Sequence, residues 1–149
     1  MNYVDIGRLS GEDLQPERDY CLLESFDYTT WSCAYYSSHP SILPTSDAPL
    51  HTAVFTACKA LPDAAKPWVA LHGHALAEDG EPARAGIPCS DVVTCASTPE
   101  DTEALLTLMK EFPYPGADTY IRRDHGFFIL GQDMRQARNI FQNRIIPYM

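Results

Sequence analysis

Two histidines separated by a single residue, His72 and His74, follow the short apolar run Trp68-Val69-Ala70-Leu71. Side chains alternate along a strand, so both imidazoles face one side, and Gly73 adds no bulk to the other. Such a pair is half of a metal site: two nitrogens aimed at one cation, where catalytic zinc usually takes at least three protein ligands. His125 is the best candidate for the third ligand, because it sits in a turn between two strand-like runs and Gly126 beside it lets the backbone bend or approach closely. His51 shares a helical run with Val54, Phe55 and Cys58 and reads as a core or cap histidine, while His39, before Pro40, reads as a solvated loop residue.

A metal that polarises a substrate oxygen also needs a proton acceptor nearby. The twenty acidic side chains read as a solvated surface. Asp47, at a loop-to-helix junction, reads on pattern alone as a helix cap.

The elements that must position these groups are legible from punctuation and period. Tyr20 to Glu24 and Trp31 to Tyr36 are aromatic-rich runs that predict two strands or one hairpin, and residues 40–49 form a polar, proline-rich loop. Ser46 or Asp47 then caps a helix with Pro49 in its first turn, carried by Val54, Phe55, Cys58 and Leu61 and ended by Pro62. Residues 78–88, rich in glycine, proline and charge, predict a loop. Ser97-Thr98-Pro99-Glu100 has capping-box spacing and predicts a helix with Leu105, Leu106, Met109 and Phe112 as its core stripe, stopped by Pro113 and Pro115. Two strands, Thr119 to Arg123 and Phe127 to Leu130, flank Asp124-His125-Gly126, and a last amphipathic helix runs from Asp133 to about Ile145.

Composition narrows the classes of function. The 149 residues predict one domain, and at that length roughly 68–70% of the unfolded surface can be buried without disulfide support. Helices alternating with short strands predict an α/β layered domain. A net charge of −9 and the lack of a basic stripe argue against a nucleic-acid partner. The longest apolar runs are too short for a membrane span, and the first residues have neither the basic nor the apolar region of a secretory signal. Five scattered cysteines without a Cys-x-x-Cys pair predict reduced, buried thiols in a cytoplasmic protein.

In chain order these pieces resemble the class II aldolase/adducin family. Pro44-Thr45-Ser46-Asp47-Ala48-Pro49-Leu50-His51 is similar to that family's Pro-Ser-Ser-Glu-x-x-x-His segment, with Phe55 at its aromatic position. Val69-Ala70-Leu71-His72-Gly73-His74 is similar to its strand-borne His-x-His, and residues 120–131 resemble the strand, His-Gly and strand that carry its third histidine. The likeness covers roughly residues 10–145. It departs from the family in having Asp47 where glutamate is usual, no counterpart of the N-terminal third, and no tyrosine between His74 and Gly86.

The resemblance implies a shortened, layered αβα domain over residues 1–149, with Zn2+ or another divalent transition metal held by His72, His74 and His125. It implies that Asp47 is the acidic residue that moves a proton, and that Thr45 and Ser46 help to hold a substrate phosphate. The implied activity is that of a metal-dependent aldolase-type lyase or epimerase. Its substrate would be a small ketose phosphate or related hydroxy-carbonyl compound, reacting through a zinc-stabilised enediolate. A homo-oligomer, a tetramer by resemblance, is the implied assembly. The alternative is a non-enzymatic oligomerisation module like the adducin head that keeps a metal site.

Overall fold

In the computed structural model, residues 3–6, 15, 19–76 and 85–149 are described, and the chain divides into two compact units, Met1–Thr52 and Ala53–Met149. Most of the loop expected over residues 78–88 lies outside the described residues. Helices and antiparallel sheets are both present, which agrees with a mixed α/β composition.

The first unit is built on a three-stranded antiparallel sheet in the order β1 (Tyr3–Ile6), β2 (Tyr20–Asp27) and β3 (Ser32–Ser37). The expected hairpin is there, with β2 running on to Asp27 and β3 shifted by one residue. A register shift between Leu23 and Ser25 marks a bulge in β2. Asp27 shapes the hairpin turn by accepting from the Thr29 N–H at 2.8 Å and the Thr30 hydroxyl at 2.9 Å. Those bonds hold its carboxyl below the ordinary carboxylate range. In the same turn the Tyr28 hydroxyl donates to the Pro49 carbonyl at 2.9 Å and lies 2.6 Å from the Thr52 hydroxyl. The hairpin is thereby tied to the start of helix α1 (Ala48–Ala57).

The second unit contains a three-stranded antiparallel sheet in the order β4 (Val69–Gly73), β6 (Gly126–Gly131) and β5 (Thr119–Arg122). The central strand β6 is buried along its whole length, as a strand covered on both faces must be. Phe127 and Ile129 join Ile121, Ala137, Ile140 and Ile145 in one apolar cluster, with helix α3 (Met134–Ile140) packed on β6 and β4. Asp133 caps α3, its side chain accepting from the Gln136 N–H at 2.7 Å. Residues 141–148 continue as wider and then tighter helical turns, so the last helix starts where the sequence predicts and changes pitch near its end.

Helix α2 (Pro99–Glu111) packs along β5. Cross-strand partners share a face, which puts His72, Phe128 and Tyr120 on one side of the sheet, with Arg122 two residues after Tyr120. On that side Tyr120 and Arg122 reach opposite ends of α2. The Tyr120 hydroxyl donates to the carbonyls of Phe112 at 2.8 Å and Ala117 at 3.0 Å, and Arg122 bonds Asp101 in the first turn.

Two details of α2 correct the sequence expectation. The cap is Thr98 rather than Ser97: Thr98 is extended (φ −97°, ψ 166°) and its hydroxyl accepts from the Asp101 N–H at 3.3 Å. The reason is Pro99, which favours the first helical position and forces the residue before it into the extended conformation that a cap needs. The buried face is Asp101, Thr102, Leu105, Leu108 and Met109, so Leu106 and Phe112 do not carry the stripe. Leu106 is half-buried and Phe112 exposed.

No helix among the described residues is long and apolar enough to cross a membrane. All five cysteines are thiols, but only Cys21 and Cys58 are buried as expected; Cys33 and Cys89 are half-buried and Cys95 is exposed, because they lie on an outer strand and in loops.

Candidate metal centre

The strand end that carries the histidines is shaped by two glycines. Gly73 pairs with Phe127 in the β4–β6 ladder, and a Cβ on Gly73 would lie 2.6 Å from the Phe127 ring. Gly126 has φ +134° and packs on the backbone of Gly73 and His74, where a Cβ would sit 2.6 Å from the His74 Cα. Only glycine accepts that conformation and that approach. The closeness brings His125, the residue before Gly126, beside the His-x-His segment.

His72 lies within β4 and His74 just past its end. Their ring centroids are 6.1 Å apart with the planes at 32°, while those of His74 and His125 are 5.3 Å apart and nearly perpendicular at 80°. Two imidazoles bound tetrahedrally to one ion, with metal–nitrogen distances of about 2.0–2.1 Å, have centroids about 5 Å apart. The His74–His125 pair matches that spacing and His72–His74 is wider. The nitrogens of the three rings do not all lie within 4.8 Å of one another. Closing them on one cation calls for a rotation at His72 or at the exposed His74. As a donor set, three imidazoles suit zinc, cobalt, nickel or iron, but as placed here they do not converge on one ion.

Behind His125 stands a group that sequence reasoning did not single out. His125 Nδ1 lies 3.3 Å from Oδ2 of Asp101, whose side chain is fully buried. The same oxygen accepts from Arg122 Nη1 at 2.8 Å and from the Ser97 N–H at 3.2 Å, and Oδ1 accepts from the Thr94 hydroxyl at 3.0 Å. Burial alone would push the Asp101 carboxyl up, but His125, the Arg122 guanidinium, Thr94 and Ser97 together hold it below the usual carboxylate range. Arg122 is 1% exposed, so the pair is a buried ion pair, and deleting one partner strands the other charge at a cost of about 3–5 kcal/mol. A signal was present in the sequence: Pro99 fixes the helix start, which turns Asp101, not Glu100, towards the β-sheet.

His125 itself sits in the β5–β6 turn, its N–H donating to the Arg122 carbonyl at 2.9 Å. Asp124 takes the left-handed conformation there (φ 58°), which aspartate tolerates better than most residues. Burial is graded across the group. Asp101 and Arg122 are sealed, His125 is 7% exposed, His72 is half-buried and His74 faces solvent. A small ligand therefore has its approach from the His74 side.

Asp47, Thr45 and Ser46 belong to the first unit. The Asp47 carbonyl accepts the first helical bond of α1, from the His51 N–H at 3.2 Å, so Asp47 holds the cap position and is buried. Half-buried Thr45 accepts from the Asp47 N–H through its hydroxyl at 3.3 Å and from the Ala48 N–H through its carbonyl at 3.1 Å. Ser46 is exposed in the turn between them. His39, bonded to Ser41 in the loop at 2.7 Å, is a surface residue, as expected.

No protein-family model and no curated protein matches the chain.

Proposed function

We propose that the second unit binds a divalent transition metal, zinc in the first instance, through His72, His74 and His125. We propose further that the protein is a metal-dependent aldolase-type lyase or epimerase acting on a small ketose phosphate or related hydroxy-carbonyl compound. The observation that carries the reading is the placement of His125 against His74 at the β4–β6 strand end, with a buried carboxylate behind it. Imidazoles backed by carboxylates recur at metal centres, because the carboxylate fixes the ring and raises its basicity.

A bound ion would supply Lewis acidity towards a substrate carbonyl or hydroxyl oxygen. The chain's own residues do the rest. Neutral imidazoles leave the full positive charge of such an ion for an oxyanion. His74, at the solvent edge, leaves room for a ligand, and the buried Asp101–Arg122 pair keeps that side of His125 dry. In this reading Asp47 moves the proton, and Thr45 and Ser46 hold the phosphate. Support for those three roles is the sequence resemblance and their place at the start of α1. The layered αβα arrangement, a cytoplasmic location and a homotetramer belong to the same reading.

Elemental analysis of the purified chain tests it first. About one divalent ion per chain is expected in the wild type, and none in His125→Ala. A panel of ketose phosphates and hydroxy-carbonyl compounds, assayed for aldehyde release or epimerisation, then tests turnover. A wild-type protein that takes up no stoichiometric divalent metal refutes the reading.

The second reading is an oligomerisation module that keeps the metal site without catalysis. The lack of a tyrosine between His74 and Gly86 favours it. Metal-loaded protein that assembles into a defined oligomer yet leaves the whole panel untouched decides for that reading.

A further inference from the structure

We propose that the outer edge of β4 is the contact strand of a homodimer, in which two copies pair β4 antiparallel about a two-fold axis at Leu71 and join their three-stranded sheets into one. The inference goes beyond the assembly named above by assigning the edge and its register, and it does not rest on the metal.

The two edges of this sheet differ. At β5 the chain itself continues the ladder: the Ile121 N–H donates to the Pro88 carbonyl at 2.8 Å and the Ser90 N–H to the Ile121 carbonyl at 2.9 Å, with a parallel bridge between Cys89 and Ile121. At β4 no strand among the described residues pairs with the outer side. Folded proteins usually guard such an edge with a lysine, a proline or a bulge. Val69-Ala70-Leu71-His72-Gly73 contains neither lysine nor proline, and its register against β6 runs without a shift.

What favours a second copy is that the strand complements itself. Antiparallel pairing about Leu71 sets Val69 against the second copy's Gly73, Ala70 against its His72, and Leu71 against its own counterpart. A large side chain thus meets a small one at each unequal pair. One step beyond the strand, the same register brings Trp68 against the second copy's His74. These residues flank β4 and both face solvent in the single chain, Trp68 at 54% exposure. Alternation puts them on one side of the sheet, so each ring covers part of the other across the axis. The strand also brings no carboxylate to that axis, in a chain whose net charge of −9 otherwise sets copies apart. One short strand is a small contact beside the about 1,200–2,000 Å² of a standard interface, so a weak dimer is expected, with a Kd of about 10–100 µM.

The full chain is first freed of metal with a chelator, so that no ion can bridge histidines of two copies. Sedimentation equilibrium then follows it from about 5 to 500 µM, in about 0.3 M salt to screen the like charges. A monomer–dimer equilibrium is expected. In a mixture of isotope-labelled and unlabelled chains, filtered NOE spectra are expected to connect the Trp68 and His74 rings. Within one chain these residues lie about 20 Å apart along the strand, so the contact can arise only between copies.

Trp68→Lys, a change at an exposed position, is expected to weaken the dimer about tenfold or more, because a two-fold interface loses the ring contact twice. Adding His74→Glu to that variant is expected to recover part of the affinity, through a cross-strand Lys–Glu pair that only this register forms. A chain that stays monomeric at the highest concentration overturns the proposal, and so does a dimer without the Trp68–His74 contact. Either failure leaves the metal reading to the elemental analysis above.

Discussion

A methyl group on Gly126 would overlap the carbonyl oxygen of Gly73, so the turn that carries His125 is pressed directly against the backbone of the His-x-His segment. The histidines meet because two backbones, with no side chain between them, are in contact.

Gly126→Ala is therefore expected to combine backbone strain at φ +134° with an overlap that neither strand can relieve. A loss of about 3 kcal/mol or more is expected, read as a lower urea midpoint at unchanged slope. Gly86→Ala is the comparison: its φ of +63° carries strain, but no atom lies within 4 Å of the added carbon. Its cost should stay at about 1–2 kcal/mol. Equal losses in the two variants would refute the close-contact account.

Thr98→Ala should remove the helix cap and cost about 1 kcal/mol, because the Thr98 hydroxyl is the acceptor for the Asp101 N–H. Glu100→Gln, at an exposed position, should stay within about 0.5 kcal/mol of wild type. The reverse ranking, measured by chemical denaturation, would restore Ser97 and Glu100 as the capping pair.

Tyr120→Phe should cost about 1–3 kcal/mol, although it removes one atom. That hydroxyl serves two carbonyls, Phe112 and Ala117, in a side chain with no exposure. The same burial, with the nearby Cys58, Asp118 and Tyr114 groups adding to it, pushes the phenol far above its usual value. A thermal melt unchanged by the substitution would contradict this pairing.

Acid should weaken the metal-free protein through Asp101. Its carboxyl is held below the ordinary aspartate value of 3.8 in the folded state, so the unfolded chain binds the proton more readily. The stabilisation is complete well above 3.8 and is lost as the pH falls through that value towards the folded one. Urea midpoints across this window should fall more steeply in the wild type than in Asp101→Leu, Arg122→Met. Asp27, Asp63 and Asp133, also lowered, are common to both proteins and cancel in the difference.

His74→Ala and His125→Ala should each abolish stoichiometric metal in the elemental analysis, whereas His39→Ala should keep it. His39 lies in the first unit and bonds Ser41. Metal retained by both of the first two variants would dissociate the ion from this strand end.

Much of the scaffold was legible from residue order, for local reasons. Pro49, Pro62, Pro99 and Pro113 bound the helices through fixed φ and missing N–H groups. Gly126 and Gly131 bracket β6, and the alternation rule put His72 and His74 on one side before any fold was in view. The phase of α2 was not legible from its leucines, since a capping box one residue out of place turned Leu106 inward and left Asp101 unnoticed.

The chain order alone determined most of the elements, though not β1, together with the positions of the three histidines and the glycine beside the third, because caps, turns and periodicity act over a few residues. Tertiary structure alone decided that Asp101 is an ionised group inside the protein. A buried carboxylate needs a cation and donors to meet it, and these come from residues 94, 97, 122 and 125, brought together only when α2 lies along β5.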